Sequence, residues 1–268
     1  MRHRLGILAL LGLACLVAAA TATGDQVRKG DLRLTFDAGF SPRALPRTQP
    51  APVTIEFESA ISTAGGRRPP ALRKFELQLN RNGRISTHGL PTCRPSQLQS
   101  VSTERALAIC RSALVGHGGF DAALAGAGEQ DVPVHGQALV FNARRAGRPA
   151  LLLHLYARGP VPAGFVLPLP IQHRVGRQLG TVLAAEVPVL AGGLGSITGL
   201  RLEIGRRYRF HGQRRSYLSA SCAAPPGFRS AFFPFVRGGF VFRDGRRVST
   251  SLQEGECRVR EPSPRQQR

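Results

Sequence analysis

The residues best suited to chemistry sit in one run, "GRRYRFHGQRRSYLSASC", at positions 205–222. A guanidinium is a planar fork of N–H donors that grips a phosphate or carboxylate through two parallel hydrogen bonds. In an extended strand alternate residues share a face. Arg207, Arg209 and His211 are therefore expected to face solvent and Tyr208 and Phe210 the core, with Arg214 and Arg215 following the turn. Arg207, Arg209, His211, Arg214 and Arg215 make the candidate anion-binding set. Further arginine pairs fall at turn-like positions: Arg67-Arg68, Arg144-Arg145 and Arg246-Arg247. If several tips meet at one end of the fold, they form one anion-binding surface. The competing role is protective, because charge at turns and edges discourages strand pairing between molecules.

Other chemistry has weaker support. No G-x-S-x-G, H-E-x-x-H, G-x-G-x-x-G, P-loop or EF-hand spacing occurs. Gly195-Ser196-Ile197-Thr198-Gly199 has its serine displaced, and "GGLGSITG" leads into a strand rather than a helix. A glycosidase needs two facing carboxylates. Glu56 and Glu58 share a strand face, and Glu56 with Glu186 is the pair such an enzyme would use; Glu203 lies in another strand. The bland reading makes these solvent-face partners of neighbouring arginines. Trp is absent and the tyrosines are Tyr156, Tyr208 and Tyr217, which leaves little flat apolar surface for stacking sugars. His88, His117, His135, His154, His173 and His211 are scattered. His154 in "LLLHLY" reads as a core histidine, and His117 with Asp121 in "GHGGFD" reads as a glycine-rich loop. No catalytic residue, metal site or cofactor is indicated.

The elements that must position these residues alternate with period two. "DLRLTFD", "VTIEFES" and "LRKFELQLN" each put apolar residues on one face and polar residues on the other, as half-buried strands do. Eight similar segments follow, separated by turn signals, of which Asn80-Arg81-Asn82-Gly83 and Arg243-Asp244-Gly245-Arg246 read best as hairpins. The prolines of "GPVPAGFVLPLP" suggest an edge strand or extended connection. The expected fold is all-β: an antiparallel sandwich, jelly-roll or Ig-like, of about 10–12 strands in one domain over 25–260. The last residues, 261–268, are expected to be disordered.

One segment, 93–116, breaks the alternation. Pro95 suits a first helical position, Ser102 or Thr103 can cap, and Glu104 favours a first turn. Ala106, Leu107, Cys110, Ala113 and Leu114 share one helical face, and Gly116 is a natural stop. Cys93 precedes this helix and Cys110 lies on its buried face. With Cys222 and Cys257 they form an even set, which in an exported chain reads as disulfides. Cys93–Cys110 and Cys222–Cys257 are the favoured pairs, each joining sequence neighbours around a compact element. No C-x-x-C and no zinc-type Cys/His spacing is present. The helix should then be a clipped lid.

The N-terminus supplies the compartment. Met1–Arg4 is basic, Leu5–Ala20 is apolar, and Ala20-Thr21-Ala22 has the small residues of a signal-peptidase site. Cleavage is expected after Ala22, with Ala18 or Ala20 as alternatives and an uncleaved anchor as the competing reading. Cys15 lacks the leucine that a lipoprotein signal carries three positions earlier. The full chain of 268 residues has 37 Lys+Arg against 16 Asp+Glu, a formal charge of +21. Losing Arg2 and Arg4 with the leader leaves about +19. Such a field favours anionic partners, although a composition rich in Ala, Arg, Gly and Pro also follows from GC-rich codons.

The ordered segments "LPTC…ALAICRSALVGHG", "LVFNARRAGRPALLLH", "LGTVLAAEVP" and "YLSASC…C" resemble uncharacterised secreted β-rich proteins of GC-rich Gram-positive bacteria. The resemblance covers most of the chain after about Lys74. It implies a shared fold and cysteine layout, and it implies no activity.

The expected function is that of an exported, non-catalytic binding protein, secreted or envelope-associated. Its expected partner is an anionic envelope polymer or membrane surface, met by arginine-rich hairpin tips; nucleic acid is not the expected partner. The alternatives are an extracellular hydrolase using a carboxylate pair and a self-associating structural envelope protein.

Overall fold

The computed structural model describes residues 24–127, 130–160, 162–175 and 178–260. The expected leader, 1–22, and the tail, 261–268, lie outside the described residues.

Alternation becomes strand almost throughout. The chain begins with β1 (Asp25–Lys29), β2 (Leu32–Ser41), β3 (Ala44–Leu45), β4 (Ala51–Pro52), β5 (Thr54–Thr63), β6 (Leu72–Asn80) and β7 (Arg84–Ile85). The non-alternating insert forms α1 (Pro95–Leu98) and α2 (Thr103–Cys110). Long strands follow: β8 (Leu114–Ala125), β9 (Asp131–Arg145), β10 (Arg148–Ala157), β11 (Ala163–His173), β12 (Leu179–Glu186) and β13 (Gly195–Ile204). The C-terminal part adds β14 (Arg207–Phe210), β15 (Gln213–Ser216), β16 (Leu218–Ala220), β17 (Ser230–Phe242), β18 (Arg247–Ser249) and β19 (Gln253–Val259).

Fourteen of these strands hydrogen-bond into one sheet, in the order β1-β2-β5-β13-β8-β9-β10-β11-β12-β6-β17-β19-β3, with β18 beside β17. Nearly every pairing is antiparallel; β19 with β3 is parallel. The sheet curls until its two ends meet. Phe36 of β2 and Phe240 of β17 are edge to face at 6.3 Å, and Phe40 lies 5.3 Å from Phe235. The seam is closed by side chains rather than a ladder. Gln253 Nε2 donates to the Phe36 carbonyl at 2.7 Å, the Ser251 N–H donates to Asp25 at 2.6 Å, and Lys29 Nζ donates to the Arg247 carbonyl at 3.1 Å. The apolar faces turn inward, with Leu32, Leu34, Phe36, Leu151, Leu153, Leu155, Leu167 and Phe242 essentially inaccessible.

The prolines of β11 sit where the sheet changes neighbours. This strand pairs with β10 through Ala163–Pro170 and with β12 only through Ile171–His173. At Pro168 and Pro170 it therefore has a ladder on one side only, so their missing N–H groups cost no bond. The strand is locally an edge, but it is central to the sheet as a whole, which corrects the expectation of an edge strand. Three further expectations need correction. Asn80-Arg81-Asn82-Gly83 is a turn, with the Gly83 N–H donating to the Asn80 carbonyl at 3.2 Å, but β7 leaves to pair with β16 instead of returning on β6. Gly116 does not stop a helix. Helix α2 gives way to a 3-10 turn over Arg111–Ala113, and Gly116 lies in β8, where a Cβ would stand 2.6 Å from the Glu203 carbonyl oxygen. "GHGGFD" is strand rather than loop, because its glycines let β8 approach β13 closely. By contrast, Arg243–Arg246 does turn β17 back onto β18.

The insert covers the outer face of β9 and β10. Ser102 caps α2, its Oγ accepting from the Arg105 N–H at 3.3 Å. Cys93, Leu98, Ala106, Cys110 and Ala113 bury Leu139, Phe141, Ala143, Ala150 and Leu152 beneath them. These two strands are thus buried on both faces, which explains the near-continuous apolar run "ALLLHLYA". Cys93 is bonded to Cys110 and Cys222 to Cys257, each with Cα atoms 5.7 Å apart. His154 is fully buried and its Nε2 lies 3.0 Å from the Val101 carbonyl. Burial holds its pKa below the ordinary histidine value, against the opposing pull of that hydrogen bond. Among the described residues no helix is long and apolar enough to cross a membrane.

Candidate functional site

Strand register defines the two ends of the curled sheet. Leu32 opposite Thr63 and Ala125 opposite Asp131 mark one end. Ile204 opposite Ile55 and Arg148 opposite Arg145 mark the other. The arginine-rich hairpin, β14 and β15, leaves the second end as a separate two-stranded ribbon. Its turn is formed by His211 (φ 48°) and Gly212 (φ 74°), the left-handed pair that a tight hairpin requires.

Two bolts fix the ribbon. Arg206 Nη1 donates to the carbonyls of Ser112 and Leu114, both at 2.7 Å, tying its base to the end of the lid. Tyr208 donates its hydroxyl to the His88 carbonyl at 2.6 Å. Phe210 packs on His88, with ring centroids 4.9 Å apart, and on Gly89, where any Cβ would collide with the Phe210 ring. Tyr208 and Phe210 are therefore half-buried against the 88–89 turn, with Phe210 outside the central core, where both were expected.

The ribbon's register sorts the candidate residues. Arg209 is opposite Arg214 and Arg207 is opposite Ser216, so three arginines share one face. Arg215 is opposite Tyr208 on the other face, with its guanidinium carbon 5.8 Å from the Phe210 centroid and Nη2 bonded to Gln213 at 3.1 Å. His211 forms the turn, its ring 4.1 Å from that of Phe210. The structure thus brings together Arg207, Arg209 and Arg214 on one face, and it sets Arg215 and His211 beside Phe210 rather than on that face. Arg206, which sequence reading did not single out, proves structural. Arg207, Arg209 and Arg214 are exposed and have no ion pair among the described residues. Like charges directly opposite each other in a ladder, as Arg209 and Arg214 are, repel and are destabilising.

The other arginine pairs do not converge on it. Arg68 pairs with Asp131 at 3.9 Å, and Arg246 pairs with Asp31 and with Asp244, both at 2.6 Å; these belong to the first end. Burial raises the Asp244 pKa, but the Arg246 backbone N–H and guanidinium outweigh it and hold the carboxylate below its usual value. Arg144 donates to the Gly147 carbonyl within its own turn at the second end.

The acidic residues gather elsewhere. An open groove of about 410 Å³ on the outer face of β2, β5, β13 and β8 is lined by Asp37, Glu56, Glu58, His117, Arg201 and Glu203. Arg201 lies 3.4 Å from Glu58 and 3.7 Å from Asp121, which in turn holds His135 at 2.6 Å. Glu56 is directly opposite Glu203. Glu186 closes β12, six ladder steps from β5 and at the first end, so the expected Glu56–Glu186 pair is not assembled. A general acid is ordinarily kept protonated by burial, and both Glu56 and Glu203 are exposed. Among the described residues no three His, Cys, Asp or Glu side chains are gathered to hold a metal ion.

No family model, no curated protein and no solved structure matches this chain, so the function rests on the geometry just described.

Proposed function

We propose that this protein is a non-catalytic binding protein, exported to the envelope or the extracellular space. The face formed by Arg207, Arg209 and Arg214 takes the phosphate or carboxylate groups of an anionic envelope polymer or membrane surface. One observation carries the reading: three exposed guanidiniums are held side by side on a bolted ribbon, without a carboxylate partner among the described residues. Recognition is by charge attraction and bidentate arginine contacts.

Two features support export: the basic-then-apolar leader sequence and the pairing of all four remaining cysteines. In the same reading the curled sheet is a sandwich, of jelly-roll or Ig-like kind, whose halves meet at β11. The resemblance to secreted β-rich proteins of GC-rich Gram-positive bacteria belongs to this proposal and adds no activity.

The test is binding of the mature protein to purified envelope and to anionic vesicles across a salt series, with heparin and zwitterionic vesicles as controls. Binding that exceeds heparin and weakens steeply with salt is the expected result. Equal binding to every polyanion would reduce the face to a general basic coat.

A further inference from the structure

Inside the curl the apolar filling is incomplete along one line. One gap, about 110 Å³, opens at the hairpin end between the small β4-β16-β7 sheet and the start of β17, walled by Phe40, Val53, Ile85, Leu218, Ala231 and Phe233. A second gap of about 30 Å³ shares Ile55, Leu79, Ile85, Leu218 and Phe235 with the first. A third, also about 30 Å³, shares Phe36, Phe57 and Leu77 with the second. Shared walls place the three gaps side by side in a row through the apolar interior, and we refer to this row as the channel. On the scale where a cavity of about 150 Å³ accommodates benzene, the outer chamber has room for a few methylenes.

Two observations say what chemistry the channel fits. The outer gap carries a polar and cationic side: Asn82, Arg84, Ser219 and Ser221 line it, Arg84 is exposed without an ion pair among the described residues, and Phe232, also in the lining, is 71% exposed. Deeper in, Tyr217 lines the second gap, is fully buried, and has a hydroxyl with no hydrogen-bond partner. A buried donor left unpaired is destabilising, and a ligand oxygen in the second gap would satisfy it. Burial chiefly, with Tyr208 nearby, pushes this phenol upward, so it remains a donor.

We propose that the channel binds a single-chain anionic amphiphile, its charged head at Arg84, its tail filling the outer chamber and reaching the second gap, where an oxygen of the tail accepts from Tyr217. This site is separate from the ribbon and does not require the ribbon to bind anything.

The probes are alkyl phosphates of increasing chain length, below their aggregation concentrations, titrated calorimetrically into the mature protein. Inorganic phosphate and an alkoxyalkyl phosphate complete the set. Each added methylene should tighten binding about fourfold until the chamber is full, and phosphate alone should not bind. Ala231→Leu and, independently, Ala220→Leu should abolish the chain-length dependence while melting remains cooperative. Arg84→Gln should weaken the phosphates about tenfold, as for loss of a charged contact. Tyr217→Phe should remove any advantage of the alkoxyalkyl probe and leave the plain series intact. Binding that ignores chain length, or that survives both leucine variants, would overturn the proposal. An alkoxyalkyl advantage that persists in Tyr217→Phe would overturn the role of that hydroxyl. Vesicle binding that fails while the chain-length series holds would sink the ribbon reading and leave this one standing.

Discussion

Arg246 and Arg214 each follow a tight turn containing a glycine at positive φ, Gly245 in one case and Gly212 in the other. Arg246 is held by Asp244 and Asp31; Arg214 looks across the ladder at Arg209. The difference lies in the opposing strands. Where the sheet's seam closes, β1, β2, β17 and β18 bring a carboxylate to the guanidinium. The ribbon is two-stranded, and among the described residues no carboxylate pairs with Arg207, Arg209 or Arg214. A basic residue near a turn is therefore structural or available for binding according to what the fold sets against it.

The comparison can be tested in decreasing order of effect. The Cys222–Cys257 bridge staples the hairpin end and closes a loop of 35 residues. Replacing both cysteines by alanine should cost about 4 kcal/mol on the chain-entropy model, against about 3 kcal/mol for Cys93 with Cys110. Denaturant unfolding of the two double variants would measure this, and equal losses would argue against the entropic account. Next, Arg207→Gln/Arg209→Gln/Arg214→Gln should weaken binding to anionic vesicles by about 3 kcal/mol, roughly a hundredfold, at about 1 kcal/mol per arginine. Its melting temperature should hold or rise slightly, since like charges are removed. A triple variant that binds normally would make the face a solvated coat.

A structural arginine of the same ribbon should behave oppositely. Arg206→Gln loses two charge-assisted bonds to carbonyls and should cost about 1–2 kcal/mol of stability. Calorimetric melting would show whether the ribbon is bolted as described. Arg246→Gln, at the far end, should cost no more than about 1 kcal/mol and leave vesicle binding unchanged. It should also flatten the acid limb of the stability curve. The folded Asp244 pKa is depressed, so its contribution is complete above the unfolded carboxylate pKa and is lost as pH falls through the lower folded value. A titration of stability in which wild type and variant run parallel below pH 4 would contradict that pairing. The smallest effect is expected for His211→Asn. Asparagine tolerates positive φ better than histidine, so stability should rise by a few tenths of a kcal/mol with binding unchanged. A drop in binding would return the imidazole to the anion site.

Much of this was legible locally. Period-two alternation in "DLRLTFD" and "LRKFELQLN" announces strands because one face must be apolar and the other wet. Ser102, Glu104 and the Ala106–Cys110–Ala113 spacing announce a capped amphipathic helix, and short separations around compact elements favour the two cysteine pairs that the structure shows. Local reasoning failed where a distant strand decides. Gly116 reads as a helix stop until β13 is seen beside it. Pro168 and Pro170 read as an edge until the strand is found between two neighbours that it pairs with in turn. Glu56 and Glu186 look equivalent as carboxylates, yet six ladder steps separate their strands.

The amino-acid sequence alone determined the β-rich character, the hairpin that carries Arg207, Arg209 and Arg214, and the excess of positive charge, and it favoured the cysteine pairing that the structure shows. These follow from side-chain periodicity, turn chemistry and composition, which act over a few residues. Only the tertiary structure decided which arginines meet carboxylates, which strands are buried on both faces, and that the curl leaves an apolar channel with a buried tyrosine hydroxyl beside it. Those outcomes depend on the register and closure of strands far apart in the chain, where one ladder step moves a charge to a new neighbour.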